Sequence, residues 1–571
     1  MTGVGQSRPF GDVCSMSGLP KSGPQRLIPV CRSQKLPSSA LSRLLAHIEK
    51  HTIAQVPHRE GFCMSGEAIS TALHRMINDA LRTSRRRFLT QVGAAGLGIG
   101  VPMSTTIAQE MQRSSVGDDK EVSLGEKLAR YATSLRYEDL PEDVIRIAKR
   151  TILDTLGCAF GGYSAKPSKI AMKLASDVNS KQPGTILLSG IKTSPELAVF
   201  ANGVMIRYLD FNDAYVSQMN GAGHPSDTIA ALLTASELRQ RSGRELITAT
   251  VLAYEVYCKI GDVFDYLGHG VDHTTVTGMG AVVGAGKLLG LTPEEMVHAI
   301  GITVGGNTAT RQGRADTLSN WKAYAAADAC RKAIFSVQLA GNGMTGPSNV
   351  FEGRYGFFKV MSRKPVAPPQ LGEPFGIRRC FTKRFPLGQF SQTVAQAAVE
   401  ARSYFKSPDE ILEVNIHASR SAIKIMADGP DKWRPQTHET ADHSIPYSAG
   451  LALIYGKIDP DYYEDPYLHD RRLLDLVSRI KCLPSDEADK PELANLCELE
   501  VVLKSGTRKT VRVEYHRGHF KNPMTDTEME EKFRLMAQKH LPANRVDNLL
   551  RSVWSVEKEP QVSNLIAATR V

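Results

Sequence analysis

The chain has 571 residues, of which 42% are hydrophobic, so it exceeds one ordinary domain and can bury a large core. Its formal net charge is +10. Residues 1–108 account for +8 of this charge, and the rest of the chain is close to neutral at +2. Because a nucleic-acid-binding protein needs a basic face on its folded domain, this distribution predicts no nucleic-acid partner.

Residues 1–108 are interpreted as a leader that carries a twin-arginine export signal. The motif is Ser84-Arg85-Arg86-Arg87-Phe88-Leu89, and a short, glycine-rich apolar run follows it at 92–101. Small residues up to Ala108 form a candidate cleavage site. The pattern predicts export by the twin-arginine route to the periplasm or the medium. A disordered basic tail is the alternative.

The apolar run of the leader is too short and too rich in glycine to cross a membrane as a helix. We therefore expect no stable membrane insertion. Residues 1–75 are rich in Pro, Ser and Arg and fit no export signal. This composition favours translation starting at Met64 or Met76, with an untranslated stretch before it.

Apolar residues recur at helical spacing along much of the chain after residue 120. From about residue 383 the pattern changes, and alternating runs such as 498–503 and 510–514 predict strands joined by a turn at Ser505-Gly506. A charged amphipathic helix is predicted again after residue 525. The sequence thus predicts a mainly α protein: a helical domain at 121–382, an inserted smaller α+β domain at 383–521, and a return to the helical domain at 522–571.

Six cysteines follow the leader, and none forms a CxxC pair or a spacing typical of a metal site. We expect buried thiols, with a Cys482–Cys497 disulfide as the less favoured alternative. The glycine-rich run at 278–287 has Ala281 and Leu288 where a phosphate-binding loop needs a glycine and a hydroxyl. The sequence therefore predicts neither a metal nor a nucleotide site.

Two carboxylates and a histidine lie within the fifteen residues 210–224, in the segments 209–213 and 223–227. Asp210 and Asp213 belong to the first, and His224 comes directly before a predicted apolar helix. The start of a helix offers free N–H groups and positive potential to an anion. This pattern favours proton transfer on a bound acid, and a capped helix with a surface histidine is the alternative.

Similar polar residues recur at other helix starts. His273 precedes the helix predicted from residue 275, and Lys322 lies in the first turn of another. Cations are disfavoured at a helix start, so a functional role for Lys322 is favoured over a lysine that reaches solvent. If these helix starts converge, they form a site for a polyanion with several carboxylates.

Taken together, these segments and several others resemble the MmgE/PrpD family, which includes 2-methylcitrate dehydratase and cis-aconitate decarboxylase. The segments that carry the resemblance are LDFND (209–213), GHPSD (223–227), HTTVTG (273–278), SNWKAYAAADACRKA (319–333), GPSNVFEGRYGFF (346–358), TKRFP (382–386), ETADHSIPY (439–447) and NPMTDTEMEEKF (522–533). They cover the predicted mature chain in order, from about residue 121 to 560.

The resemblance implies a large all-helical domain and a smaller α+β lid domain, with the active site between them and a homodimer as the assembly. It also implies lyase chemistry without a cofactor or metal on a small tricarboxylate substrate. The implied site residues are Asp210, His224, His273, Lys322, Lys383 and Tyr447. His224 would transfer protons, Asp210 would orient it or act as the partner acid, and the lysines would stabilise an enolate-like carboxylate. His273 and Tyr447 would assist substrate binding or protonate the leaving group, and either histidine could be the base with the other as the acid.

Two departures from the decarboxylase pattern favour dehydration of 2-methylcitrate or a related acid. Ala214 stands where that pattern has a threonine, and residues 386–389 lack its histidine. A decarboxylase or epimerase of a related polycarboxylate remains the nearest alternative. A catalytically inactive polycarboxylate-binding protein is the alternative from a different class.

Overall fold

The computed structural model describes residues 122–571, apart from residues 220, 316–317, 363–364 and 494. The predicted leader and its twin-arginine motif lie outside the described residues. In the described part, no helix is both long and apolar enough to cross a membrane.

The described chain is mainly α-helical, as the sequence predicts. Ten α-helices of the described chain precede residue 383: α1 (Leu124–Ser134), α2 (Glu142–Gly162), α3 (Lys166–Ser176), α4 (Pro195–Arg207), α5 (Ile229–Leu238), α6 (Gly243–Val263), α7 (Thr274–Leu289), α8 (Pro293–Gly306), α9 (Trp321–Gly341) and α10 (Phe357–Met361). Helices α1, α6 and α8 begin at capping boxes, in which Ser123, Ser242 and Thr292 each exchange hydrogen bonds with a glutamate three residues later.

Two short antiparallel hairpins interrupt the helices. The first pairs β1 (Gly184–Thr185) with β2 (Lys192–Thr193), and the second pairs β3 (Tyr215–Val216) with β4 (Ala222–Gly223). The β3–β4 hairpin turns the chain back on itself directly before His224. A 3₁₀ turn at Pro225–Thr228 separates His224 from α5, so His224 precedes this turn and not the apolar α-helix that the sequence predicts.

The second half contains a four-stranded sheet. Its strands are β5 (Ile411–Ala418), β6 (Ile480–Pro484), β7 (Cys497–Leu503) and β8 (Arg508–Val513), in the order β6-β5-β7-β8. The β5–β6 pair is parallel and the other pairs are antiparallel. The accompanying helices are α11 (Gln392–Ala401), α12 (Arg420–Met426), α13 (His438–Ala441), α14 (Ile445–Tyr455) and α15 (Arg471–Val477).

Three C-terminal helices follow the sheet: α16 (Asp526–Ala537), α17 (Ala543–Trp554) and α18 (Val562–Ala568). Helix α16 packs against α2, with the rings of Phe533 and Phe160 edge to face at 5.9 Å. Burial of such apolar side chains is the main force that joins helices distant in sequence.

The buried hydrophobic side chains form two clusters. One draws on residues between 124 and 377 and again between 524 and 566, and the other draws on residues between 385 and 513. Both belong to one compact unit of the chain, Lys120–Val571. The helices establish the mainly α class, whereas the inserted lid domain stays a prediction.

All six cysteines of the described chain are free thiols. The alternative disulfide between Cys482 and Cys497 is thus absent from the structure. The sulfur atoms of Cys258 and Cys380 lie 3.7 Å apart, a contact that the sequence does not indicate.

Candidate active site

Asp210 is at the centre of a buried cluster of charges. Helix α4 ends at Arg207, whose Nη1 donates to Asp210 Oδ1 at 2.6 Å. Lys383 Nζ donates to the carbonyl oxygen of Asp210 at 2.7 Å and also to Oδ1. Burial works to raise the pKa of Asp210, but the Arg207 and Lys383 cations outweigh it and hold that pKa well below its usual value.

The backbone of Asp210 is strained. Its φ of +47° lies in the left-handed region, which aspartate adopts more readily than most residues but which still costs free energy. Lys383 contacts both the backbone and the side chain of Asp210, and these contacts hold it in that conformation. Strain of this kind, held by surrounding contacts, is typical of functional sites.

His224 is fixed in one tautomer by its neighbour Asp213. Its Nδ1 lies 2.7 Å from the carbonyl oxygen of Asp213, and a carbonyl only accepts, so Nδ1 carries the proton of the neutral ring. Its Nε2 therefore has the free lone pair and lies 3.6 Å from Asp210 Oδ1. Burial, together with the Arg207 and Lys383 cations, lowers the pKa of His224 well below its usual value, so the ring is neutral at neutral pH.

His273 packs beside His224, with the two rings edge to face at 5.2 Å. It comes directly before α7, and its Nε2 has no hydrogen-bond partner among the described residues. Gly223 makes this approach possible, because a Cβ there would lie 2.7 Å from the His273 ring. Burial lowers the pKa of His273 well below its usual value, which also keeps this ring neutral.

Lys322 and His443 connect Asp210 to the second half of the chain. Lys322 Nζ donates to Asp442 Oδ1 at 2.7 Å and lies 3.7 Å from Asp210 Oδ2. His443 Nδ1 lies 2.7 Å from Asp442 Oδ1, and its Nε2 lies 3.1 Å from Asp210 Oδ2. Residues from the two parts of the chain that form the two hydrophobic clusters thus share one network of charges.

A cavity of about 50 Å³ opens beside this network. It is lined by Arg207, Asp210, Ala222, His224, His273, Arg311, Arg314, Gly388, Gln389, Phe390, Ile425, Met426 and His443.

Several cavity-lining side chains have buried polar atoms that make no hydrogen bond within the described part of the chain. Four of these atoms are donors: Arg207 Nε and Nη2, Arg314 Nη1 and Gln389 Nε2. A buried donor without an acceptor costs about 1–3 kcal/mol. Because these side chains line one cavity, an anion with several oxygen atoms bound there would lie beside all three of them.

Two further carboxyl groups near the cavity have raised pKa values. Burial raises the pKa of Asp213 to about 6 and that of Asp227 to about 7. Asp213 Oδ2 accepts a hydrogen bond from Tyr254 at 2.6 Å, and Asp227 Oδ1 accepts one from Asn212 at 2.9 Å. Perturbed pKa values concentrated in one cavity are typical of an active site.

The oxygens and nitrogens of Asp210, Asp442 and His443 come close enough together, all within 4.8 Å, for a metal ion to be considered. Both carboxylates already have cation partners, because Lys383 pairs with Asp210 and Lys322 with Asp442. The charge of the cluster is thus balanced by the chain's own ammonium groups.

The structure places the six predicted site residues in three situations. Asp210, His224 and His273 line the cavity. Lys322 and Lys383 belong to the charge network, but they pair with aspartates and do not line the cavity. Tyr447 lies apart: it is buried in the second hydrophobic cluster, and its phenol donates to the carbonyl of Tyr462 at 3.3 Å.

The prediction missed residues that do line the cavity. Among them are Arg207, Arg311, Arg314, His443 and Gln389. His443 lies four residues before Tyr447, in the segment 439–447 that carries part of the family resemblance. The arginines have no local signal, because their position at the cavity depends on how α4 and the loop after α8 pack.

Two family models match the chain. The MmgE/PrpD N-terminal domain matches residues 126–370, and the MmgE/PrpD C-terminal domain matches residues 385–557. The chain belongs to the MmgE/PrpD family. The boundary between the two matches, at 370–385, falls where the buried hydrophobic side chains pass from one cluster to the other.

Curated relatives align over most of their length. The cis-aconitate decarboxylase-like protein oryM of Aspergillus oryzae is 27% identical over 77% of this chain and 96% of its own. The 2-methylcitrate dehydratase of Escherichia coli is 27% identical over 73% and 90%. The cis-aconitate decarboxylase of Homo sapiens is 26% identical over 76% and 92%. Relatives with these names support a family-level function on tricarboxylates.

Proposed function

We propose that this protein is a cofactor-free hydro-lyase that removes water from 2-methylcitrate or a closely related hydroxy-tricarboxylate. The observation that carries the proposal is the cavity, which three arginines, Arg207, Arg311 and Arg314, line together with the neutral His224. Such a cavity binds an anion with several oxygens and offers it a base. Relatives named 2-methylcitrate dehydratase support the same chemistry.

His224 is the proposed base. Elimination breaks the C–H bond next to a carboxylate, forms the C=C bond with that electron pair and breaks the C–O bond of the neighbouring carbon. His224 Nε2 accepts the proton, since Nδ1 is already bound to the Asp213 carbonyl. The new positive charge lies 3.6 Å from Asp210 Oδ1, and this carboxylate stabilises the imidazolium.

The arginines are the proposed clamps for the substrate's carboxylates. Arg207, Arg311 and Arg314 line the cavity, and a guanidinium group matches the geometry of a carboxylate with two parallel N–H groups. Positive charge at the carboxylate next to the broken C–H bond stabilises the enolate-like transition state. Lys322 and Lys383 act one step further away, by holding Asp442 and Asp210 in place.

The test is turnover of 2-methylcitrate, citrate and cis-aconitate by the purified chain, followed by mass spectrometry. Loss of water from 2-methylcitrate that disappears in His224→Gln is the expected result. Release of carbon dioxide from cis-aconitate would favour the decarboxylase instead. Binding without any conversion, unchanged in His224→Gln, would favour a polycarboxylate-binding protein.

We also propose export by the twin-arginine route and assembly as a homodimer. The export proposal is supported by the motif at Arg85-Arg86 and its apolar run. Replacing Arg85 and Arg86 by lysine should leave the protein in the cytoplasm, and unchanged secretion would contradict the proposal. Light scattering after size exclusion tests the homodimer, and a single-chain mass would contradict it.

A further inference from the structure

We propose that His443 is the acid that protonates the departing hydroxyl group, and that Asp442 positions it. This inference deepens the proposed function and rests on it. It assigns the second proton transfer of the elimination to a residue in the part of the chain that forms the second hydrophobic cluster. His224 belongs to the part that forms the first.

His443 has the position that such an acid needs. It lines the cavity, and its side chain is 15% exposed. Its Nδ1 is hydrogen-bonded to Asp442 Oδ1 at 2.7 Å, which fixes the orientation of the ring. The carboxylate of Asp442 is in turn held by Lys322.

The two imidazoles share one carboxylate. His224 Nε2 lies 3.6 Å from Asp210 Oδ1, and His443 Nε2 lies 3.1 Å from Asp210 Oδ2. Asp210 Oδ2 makes no hydrogen bond with the described residues, so Nε2 of His443 stays available to a ligand. The reactive nitrogens of both rings are thus directed to the same part of the cavity.

The surroundings of His443 favour its charged form once substrate is bound. Each ring nitrogen lies close to a carboxylate oxygen, and the two negative charges favour a positive charge on the ring. Burial and the Lys322 cation lower the pKa of His443 to about 4, against the opposing effect of Asp210 and Asp442. A tricarboxylate adds negative charge beside the ring, and this charge raises the pKa of an imidazole.

The protons then balance over one turnover. His224 Nε2 gains the proton from carbon, and His443 Nε2 gives a proton to the hydroxyl oxygen as the C–O bond breaks, so that water leaves. His224 ends with one proton more and His443 with one fewer. Asp210 lies between the two nitrogens and offers a path for returning that proton.

The decisive experiment compares two leaving groups in the full-length protein. The substrates are the hydroxy-tricarboxylate and its analogue in which fluoride replaces the departing hydroxyl, because fluoride leaves without taking a proton from a strong acid. In His443→Gln we expect kcat for the hydroxyl substrate to fall by about 10²–10⁴-fold. The loss for the fluoride analogue should be about tenfold or less, since the base remains.

Three variants serve as comparisons. His224→Gln should lose both activities, because both reactions need the base. Asp442→Asn should show a smaller loss with the same preference for fluoride, as expected of a positioning residue. His469→Gln, at a side chain that is 64% exposed, is the matched control. Equal loss on both substrates in His443→Gln, or no loss on either, would overturn the proposal.

A second measurement does not depend on turnover. Tricarballylate has three carboxylates and no hydroxyl, so it binds without reacting. Calorimetry in two buffers of different ionisation enthalpy, at about pH 6, should show that wild type takes up about one proton more than His443→Gln on binding it. Equal proton uptake would overturn the proposal. A wild-type chain inert towards every hydroxy-tricarboxylate would contradict the proposed function itself, and proton uptake would then decide the role of His443 separately.

Discussion

Residues 207–227 and residues 438–443 each place an imidazole at the same cavity, but they hold it differently. In the first region, His224 Nδ1 donates to the carbonyl oxygen of Asp213. In the second, His443 Nδ1 lies against the carboxylate of Asp442. A carbonyl partner fixes the tautomer of a neutral ring, whereas a carboxylate partner favours the charged ring. The two regions thus differ in the proton-transfer role for which they prepare a histidine.

The cations of the site show a related difference. Arg207 and Arg314 line the cavity and have buried N–H groups without acceptors in the described chain. Lys322 and Lys383 are fully engaged with Asp442 and Asp210. An arginine can pair with an aspartate and still offer a second N–H group to a ligand, whereas a lysine is a compact point charge. This difference assigns binding to the arginines and positioning to the lysines.

The largest expected effect comes from removing the base of the first region. His224→Gln should lower kcat by about 10²–10⁴-fold, because general-base catalysis contributes that much, while the fold is retained. Steady-state kinetics with 2-methylcitrate, together with circular dichroism, measures both quantities. Activity close to wild type in this variant would remove His224 from the mechanism.

The next effect concerns stability and tests the positioning role of Lys322. Lys322→Met leaves the buried Asp442 carboxylate without its main cation, and we expect the free energy of unfolding to fall by about 3–5 kcal/mol. Adding Asp442→Asn removes the uncompensated charge and should restore much of that loss. Urea denaturation of the single and double variants checks this. If Lys322→Met and the double variant were equally stable, the Lys322–Asp442 ion pair would not determine the stability of the protein.

Much of the fold follows from local sequence signals. The capping boxes at Ser123, Ser242 and Thr292 and the alternating pattern of β7 and β8 are readable without a structure, and the predicted elements agree with the observed ones to within a few residues. Helices α3 and α4 and strand β6 are among the elements that the sequence patterns do not predict. The strand pairs with β5 in parallel, and parallel pairing depends on contacts distant in sequence rather than on a turn.

The site was only partly predictable for the same reason. The segments of His224 and His273 stand out because each polar residue lies next to a helical pattern. The segment 439–447 also stands out, but the sequence does not reveal that His443 turns into the cavity and Tyr447 into the core. That choice is made by the start of α14, where Ser444 Oγ accepts from the Tyr447 backbone and sets the helix phase.

A moderate effect is expected at an arginine of the cavity that has no aspartate partner within the described residues. Arg311→Gln should raise KM by about 10- to 100-fold with a smaller change in kcat, since a hydrogen bond to a charged group contributes about 1.5–3 kcal/mol. Arg311→Lys keeps the positive charge, so its KM should lie between the KM of wild type and that of Arg311→Gln. The exposed Arg420, which pairs with Asp486 and Asp489, provides the control substitution Arg420→Gln. An unchanged KM in Arg311→Gln would exclude this arginine from the clamp.

The smallest expected effect is a change in the pH dependence of the free energy of unfolding, which arises from the protonation of the buried histidines. Burial lowers the pKa of His224 well below its ordinary value and that of His516 to about 4, whereas an unfolded histidine titrates near ~6.5. Between these values the unfolded chain binds more protons, so the free energy of unfolding decreases as the pH falls below about 6.5. Each such histidine adds a slope of about 1.4 kcal/mol per pH unit to the free energy of unfolding.

Urea denaturation between about pH 7 and pH 5 should therefore show a shallower pH dependence for His516→Gln and for His224→Gln than for wild type. Curves parallel to wild type would mean that these rings already bind a proton in the folded protein, and His224 could then not accept one from the substrate.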